Sequence, residues 1–110
     1  MDIIIESPGF KASAELEDYV RETLTKLKSD KIIRADVTLY KGSDGNPANS
    51  FCEIRLEVPG NDHFVKKNAG TFETAVLDAT ETLQEVMKKA KEKAIDRNRQ
   101  VDMDSILQQS

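Results

Sequence analysis

A thiol, an imidazole, two carboxylates four residues apart and a glycine-rich loop are the features of this 110-residue chain that have the residue types for catalysis or ligand capture. Cys52 supplies the thiol, but it falls among the inward positions of an alternating segment, where a free cysteine behaves as a small apolar residue. No neighbouring base activates it. His63 follows a turn and has no defined partner for proton transfer. Glu53 and Glu57 share one face of a segment, a spacing that suits acid–base work, yet alternating charge on an exposed strand is ordinary and they read as surface. The stretch Gly42-Ser43-Asp44-Gly45 lacks the lysine-serine or lysine-threonine ending of a phosphate loop and stands between two strand patterns, not before a helix. One cysteine and one histidine leave neither an internal disulfide nor a Cys/His zinc site. No enzymatic activity, cofactor, metal or small-molecule substrate is therefore expected. Tyr40 and Phe51 suit the stacking of bases if they stand on an open sheet face; Phe51 fits a core position at a strand edge equally well.

The charge is unevenly placed. The whole chain carries 16 basic and 20 acidic side chains, a net −4, with 38% hydrophobic and 33% charged residues. Residues 71–87 hold Glu73, Asp78, Glu81 and Glu85 and no base, whereas residues 88–99 hold Lys88, Lys89, Lys91, Lys93, Arg97 and Arg99 against Glu92 and Asp96. One reading of such a run is a solvated helix end whose bases complement the negative pole of the helix. No apolar run approaches the roughly 20 residues of a membrane span, and the start MDIIIESPGF has no basic segment leading into a long apolar one. A single folded domain in the cytoplasm, away from membranes, is the expectation.

The elements that must position these residues follow from periodicity. Ile3, Ile4 and Ile5 predict a short strand over 2–6, ended by Ser7-Pro8-Gly9 and buried on both faces. Ser13 is placed as an N-cap, and Leu16, Tyr19, Val20, Leu24 and Leu27 make one face of a helix running to about Lys28. From Ile32 to Tyr40 the period becomes two, with Ile33, Ala35, Val37 and Leu39 on one side. After the loop Gly42–Asn49, Cys52, Ile54, Leu56 and Val58 alternate with Glu53, Arg55 and Glu57. A turn at Pro59-Gly60-Asn61-Asp62 leads to a third segment, His63 to Lys67, completing an antiparallel meander. Thr71 caps a helix of about six turns, with Phe72, Ala75, Val76, Ala79, Leu83, Val86, Met87 and Ala90 on one stripe. Gln100–Ser110 reads as a mobile tail. The result is an α+β domain of order β-α-β-β-β-α, with a four-stranded mixed sheet, two helices packed on one face and the other face wet.

This order, with Phe10 ahead of the first helix, Leu16-Glu17-Asp18-Tyr19-Val20, Leu24, Lys26-Leu27, Ala35-Asp36-Val37-Thr38-Leu39 and Leu56-Glu57-Val58-Pro59-Gly60, resembles the short form of the ribosome hibernation promoting factor and ribosome-associated inhibitor family. Its members are also known as sigma-54 modulation or ribosomal subunit interface proteins. The resemblance extends to about Lys93 and implies a domain over 1–95 with a flexible tail over 96–110. It further implies a non-catalytic protein that lodges in the small ribosomal subunit near the decoding region, binds ribosomal RNA and inhibits translation under stress or in stationary phase. Phosphate neutralisation is the physics of such binding, and the residues implied are Arg21, Lys26 and Lys28 on the first helix with Lys88, Lys89, Lys91 and Lys93 on the second. The chain ends without the extra C-terminal domain through which longer members pair, so by that comparison it is not expected to dimerise ribosomes by itself. A monomer is expected over a dimer, although an edge strand such as His63 to Lys67 could pair. Glu17, Thr82 and Glu85 stand where members commonly carry bases. With the acidic balance, they motivate the alternative, a protein-interaction module of the same fold that has lost ribosome binding and takes a protein partner, its apolar tail residues Val101, Met103, Ile106 and Leu107 being candidates for contact.

Overall fold

The order of periods along the chain is the order of elements in the structure, a computed structural model that describes residues 1–28, 31–42 and 47–109, with side chains through residue 91. Strand β1 (Asp2–Glu6), helix α1 (Ala14–Thr25), strands β2 (Arg34–Lys41), β3 (Ser50–Val58) and β4 (Asn61–Ala69) and helix α2 (Phe72–Gln109) follow in turn. The sheet order is β1-β2-β3-β4, with β1 parallel to β2 and the other pairs antiparallel. This is the expected α+β fold with a mixed sheet.

Alternation decides which way each strand faces. Ala35, Val37 and Leu39 of β2 and Cys52, Ile54 and Leu56 of β3 are at most 1% exposed. They join Val20 and Leu24 of α1 and Ala75, Val76, Ala79 and Leu83 of α2 in one core, so both helices cover the same face. Each leucine sequestered there contributes about 2 kcal/mol of transfer free energy. Ser13 caps α1 as expected, its Oγ accepting from the Leu16 N–H at 3.1 Å. Thr71 does the same for α2, accepting from the Thr74 N–H at 3.2 Å. Thr80, a polar residue on the buried side of α2, satisfies its hydroxyl by donating to the Val76 carbonyl at 2.8 Å.

Several expectations need correction. Ile3, Ile4 and Ile5 are not buried on both faces: Ile3 and Ile5 pack on the core, but Ile4 is 42% exposed, because the described residues cover the sheet on one side only. Ile33 shares the phase of Ala35, yet lies just before β2 and is exposed. Helix α1 stops at Thr25 and not near Lys28, its last turn tightened by bonds from the Lys26 and Leu27 N–H groups to the Thr23 and Leu24 carbonyls. Strand β4 is longer than His63–Lys67, since it pairs with β3 along its whole length from Asn61 opposite Val58 to Ala69 opposite Ser50. The turn therefore shrinks to Pro59-Gly60, with Gly60 at φ +88°, the proline and positive-φ glycine that a type II turn requires. Helix α2 runs to Gln109, about ten turns, past the expected six. Val86 and Ala90 leave its buried stripe and are exposed. The middle of the Gly42–Asn49 loop and the side chains of 92–110 lie outside the described residues.

Candidate nucleic-acid interface

Two contacts fix how the helices lie against each other. The Phe10 ring stacks on Phe72 with centroids 5.0 Å apart and planes 10° from parallel, which brings the chain entering α1 beside the start of α2. At the other end the Lys28 N–H donates to Gln84 Oε1 at 2.9 Å. Twelve residues separate Phe72 from Gln84 and twelve make up α1, about 18 Å of helix in each case. The helices therefore run parallel, side by side, until α1 ends beside Gln84 and α2 continues past it.

That register assembles the lysines. Residues at i, i+4 and i+7 share a helix face, so Lys88 and Lys91 continue the stripe of Gln84 beyond the end of α1, where Lys26 and Lys28 stand. All four are exposed, as is Lys89 on the adjoining stripe. The side chains of Lys93, Arg97 and Arg99 lie outside the described ones. Arg21 is placed differently: its guanidinium lies 3.5 Å from Glu17 Oε2 and 3.9 Å from Asp18 Oδ1, on the acidic part of α1. Exposed pairs of this kind contribute only a few tenths of a kcal/mol, but they screen the arginine from an incoming phosphate. The helical layer is thus acidic where its helices begin, at Glu15, Glu17, Glu73 and Asp78, and still carries Glu81 and Glu85 beside Gln84, with the lysines following where α1 ends. Charges beyond a Debye length of about 8 Å are largely screened, so a phosphate beside Lys88 and Lys91 interacts with the five lysines and with Glu85, and hardly with Glu15, Glu17 or Glu73. Gln84, which ties the two clusters together, escaped the sequence reading because its partner is 56 residues away.

The residues with catalytic potential are dispersed. Cys52 is fully buried, and burial first, with Glu53 second, pushes its thiol pKa up to about 12. At pH 8 only about one molecule in ten thousand then carries the thiolate. A chromogenic disulfide reagent is accordingly expected to leave Cys52 unmodified in the folded protein and to titrate it fully in denaturant; prompt reaction without denaturant would contradict the burial. Glu53 and Glu57 do not form a working pair, since each has a different neighbour. Glu57 lies 3.9 Å from Arg34, whereas Glu53 stands by the Tyr40 phenol and raises its pKa, with partial burial adding and Lys66 opposing. The Tyr40 and Phe51 rings stack on each other on the open face at 5.1 Å, only 4° from parallel. His63 is half-buried on β4 opposite Leu56. Among the described residues no group of three or more His, Cys, Asp or Glu could hold a metal ion, and no helix is long and apolar enough to cross a membrane.

The domain is thus β-α-β-β-β-α, with two parallel helices and lysines gathered where α1 ends alongside α2. The model of the sigma 54 modulation protein / S30EA ribosomal protein family matches residues 3–95. The chain belongs to that family. As an S30EA family member it is one of a ribosome-associated group, and the matched range stops within the lysine-rich part of α2. Two solved structures share its fold. A ribosomal subunit interface protein from Coxiella burnetii superposes with a TM-score of 0.75 at 16% identity, over 83% of this chain and 98% of that one. The Protein Y N-terminal domain of Thermus thermophilus superposes with a TM-score of 0.69 at 23% identity, over 81% and 98%. No curated protein matches the S30EA family member at a significant level.

Proposed function

We propose that this S30EA family member is a cytoplasmic, non-catalytic protein that binds small-subunit ribosomal RNA near the decoding region and thereby inhibits translation under stress or in stationary phase. Lys26, Lys28, Lys88, Lys89, Lys91 and Lys93 supply the phosphate contacts, with Arg21 an outlying one. Residues 1–95 act as the binding domain, 96–110 as a tail that extends beyond it, and the protein works as a monomer. The observation that carries the reading is the Lys28–Gln84 hydrogen bond, which sets the end of α1 one turn before Lys88 and merges two short basic stretches into one surface. Family membership supplies the ribosome.

Co-sedimentation of the purified chain with small ribosomal subunits across a salt series tests it. Each neutralised phosphate contributes roughly 0.7–0.9 to the slope of log affinity against log salt. Five or six lysines at phosphates predict a slope of about −4. Absence of co-sedimentation even at low salt would eliminate ribosome binding and leave the protein-interaction module.

A further inference from the structure

Among the described residues nothing packs over the sheet face turned away from the helices, and it gathers carboxylates. Six carboxylates stand on it among the described residues, Asp2, Glu6, Asp36, Glu53, Glu57 and Asp62, against three bases. Every base is already held there. Arg34 reaches Asp36 at 3.2 Å and Glu57 at 3.9 Å. Arg55 lies 4.0 Å from Asp62 and 5.9 Å from the Phe64 ring centroid, and the Lys66 ammonium 5.4 Å from that of Phe51. The surplus of acceptors falls on edge strand β1, where Asp2 and Glu6 have no ion pair among the described residues. Between them Ile4 stands 42% exposed, beside a shallow depression it shares with Glu6, Asp36, Val37, Thr38 and the ion-paired Arg34.

We infer that the β1–β2 part of the open sheet face docks an extended, lysine- or arginine-rich polypeptide segment. Asp2 and Glu6 are four residues apart on one strand face, about 13 Å, the distance at which a second extended chain repeats its own side chains at i and i+4. Lysine and arginine carry apolar stems that cover a surface such as Ile4 while their charged ends reach the flanking carboxylates. Charge complementarity selects this occupant over a nucleic acid, whose phosphates would meet an excess of carboxylates. The face lies across the sheet from the helical layer, so it can be occupied together with the lysine surface, and the inference stands whether or not that surface binds RNA.

Amide spectra of the full, isotope-labelled chain test the inference by titration with a twelve-residue peptide of alternating lysine and threonine. A peptide with glutamine in place of lysine and an oligouridylate of matched length serve as comparisons. The lysine peptide alone is expected to shift the amides of Ile4, Glu6, Asp36 and Thr38. Asp2→Asn with Glu6→Gln is expected to weaken it about threefold to tenfold, the effect of two exposed ion pairs. The unperturbed remainder of the spectrum reports that the variant is folded. Shifts centred on Glu17 and Glu81 of the helices, an affinity unchanged in the double variant, or oligouridylate moving the same amides would each overturn it.

Discussion

Lys88→Glu combined with Lys89→Glu is expected to lower affinity for small ribosomal subunits by about two orders of magnitude. A contact to a charged group contributes roughly 1.5–3 kcal/mol, about tenfold or more in affinity for each lysine lost, and the new carboxylates add repulsion. Both side chains are exposed and make no ion pair among the described residues, so thermal unfolding should be unchanged. The salt slope should become shallower by about one for each phosphate contact removed. Lys11→Glu provides the comparison: it changes charge equally per substitution but lies beside Phe10, where the helices begin. If net charge alone governed binding, Lys11→Glu would cost as much as either lysine change; the local surface predicts less than about a threefold effect. Retention of full binding by the double variant would remove Lys88 and Lys89 from the interface.

Leu83→Ala is expected to destabilise the domain by about 2–5 kcal/mol, the range for a fully buried leucine whose surroundings collapse only partly. Leu83 is 0% exposed and packs where α2 meets the sheet, one residue before the glutamine that holds the end of α1. For a domain whose total stability is roughly 5–15 kcal/mol, that loss approaches unfolding. Urea titration reads it as a lower midpoint with an unchanged slope. Leu77, on the same helix but 42% exposed, should lose well under half as much when replaced by alanine. Equal midpoints for the two variants would mean that the core does not run along the stripe of Ala75, Val76, Ala79 and Leu83.

Much of this architecture was legible because the interior is built from strict alternation and single-faced helices. Ala35, Val37, Leu39, Ile54 and Leu56 each occupy the side that a period of two assigns, and Ser13 and Thr71 cap the helices they precede. What escaped was whatever a neighbour decides. Three consecutive isoleucines have no period, so only the one-sided sheet shows that Ile4 faces outward. The sequence of β4 is largely polar, with Asn61, Asp62, His63 and Asn68, and its full length comes from backbone pairing to β3. Val86 obeys the helical period but falls outside the buried stripe of α2. At the candidate site, the lysines were visible as a run, and the Glu17 and Asp18 partners of Arg21 lie at ordinary helical spacing. Their union was not visible, because it depends on one hydrogen bond between residues 28 and 84.

The parallel helices also give the domain a direction. With acidic side chains where both helices begin and lysines where the shorter one ends, the protein is an electric dipole laid on a net charge of −4. A distant polyanion meets the net charge and is repelled; at closer range the lysine end is drawn in while the acidic end is pushed away, and the resulting torque turns the molecule before contact. Orientation is ordinarily what holds association rates far below the diffusion limit, and a built-in torque relaxes that constraint most at low ionic strength. Had the helices run antiparallel, Lys26 and Lys28 would lie beside Glu73 and Asp78, and α2 alone would supply a weaker torque.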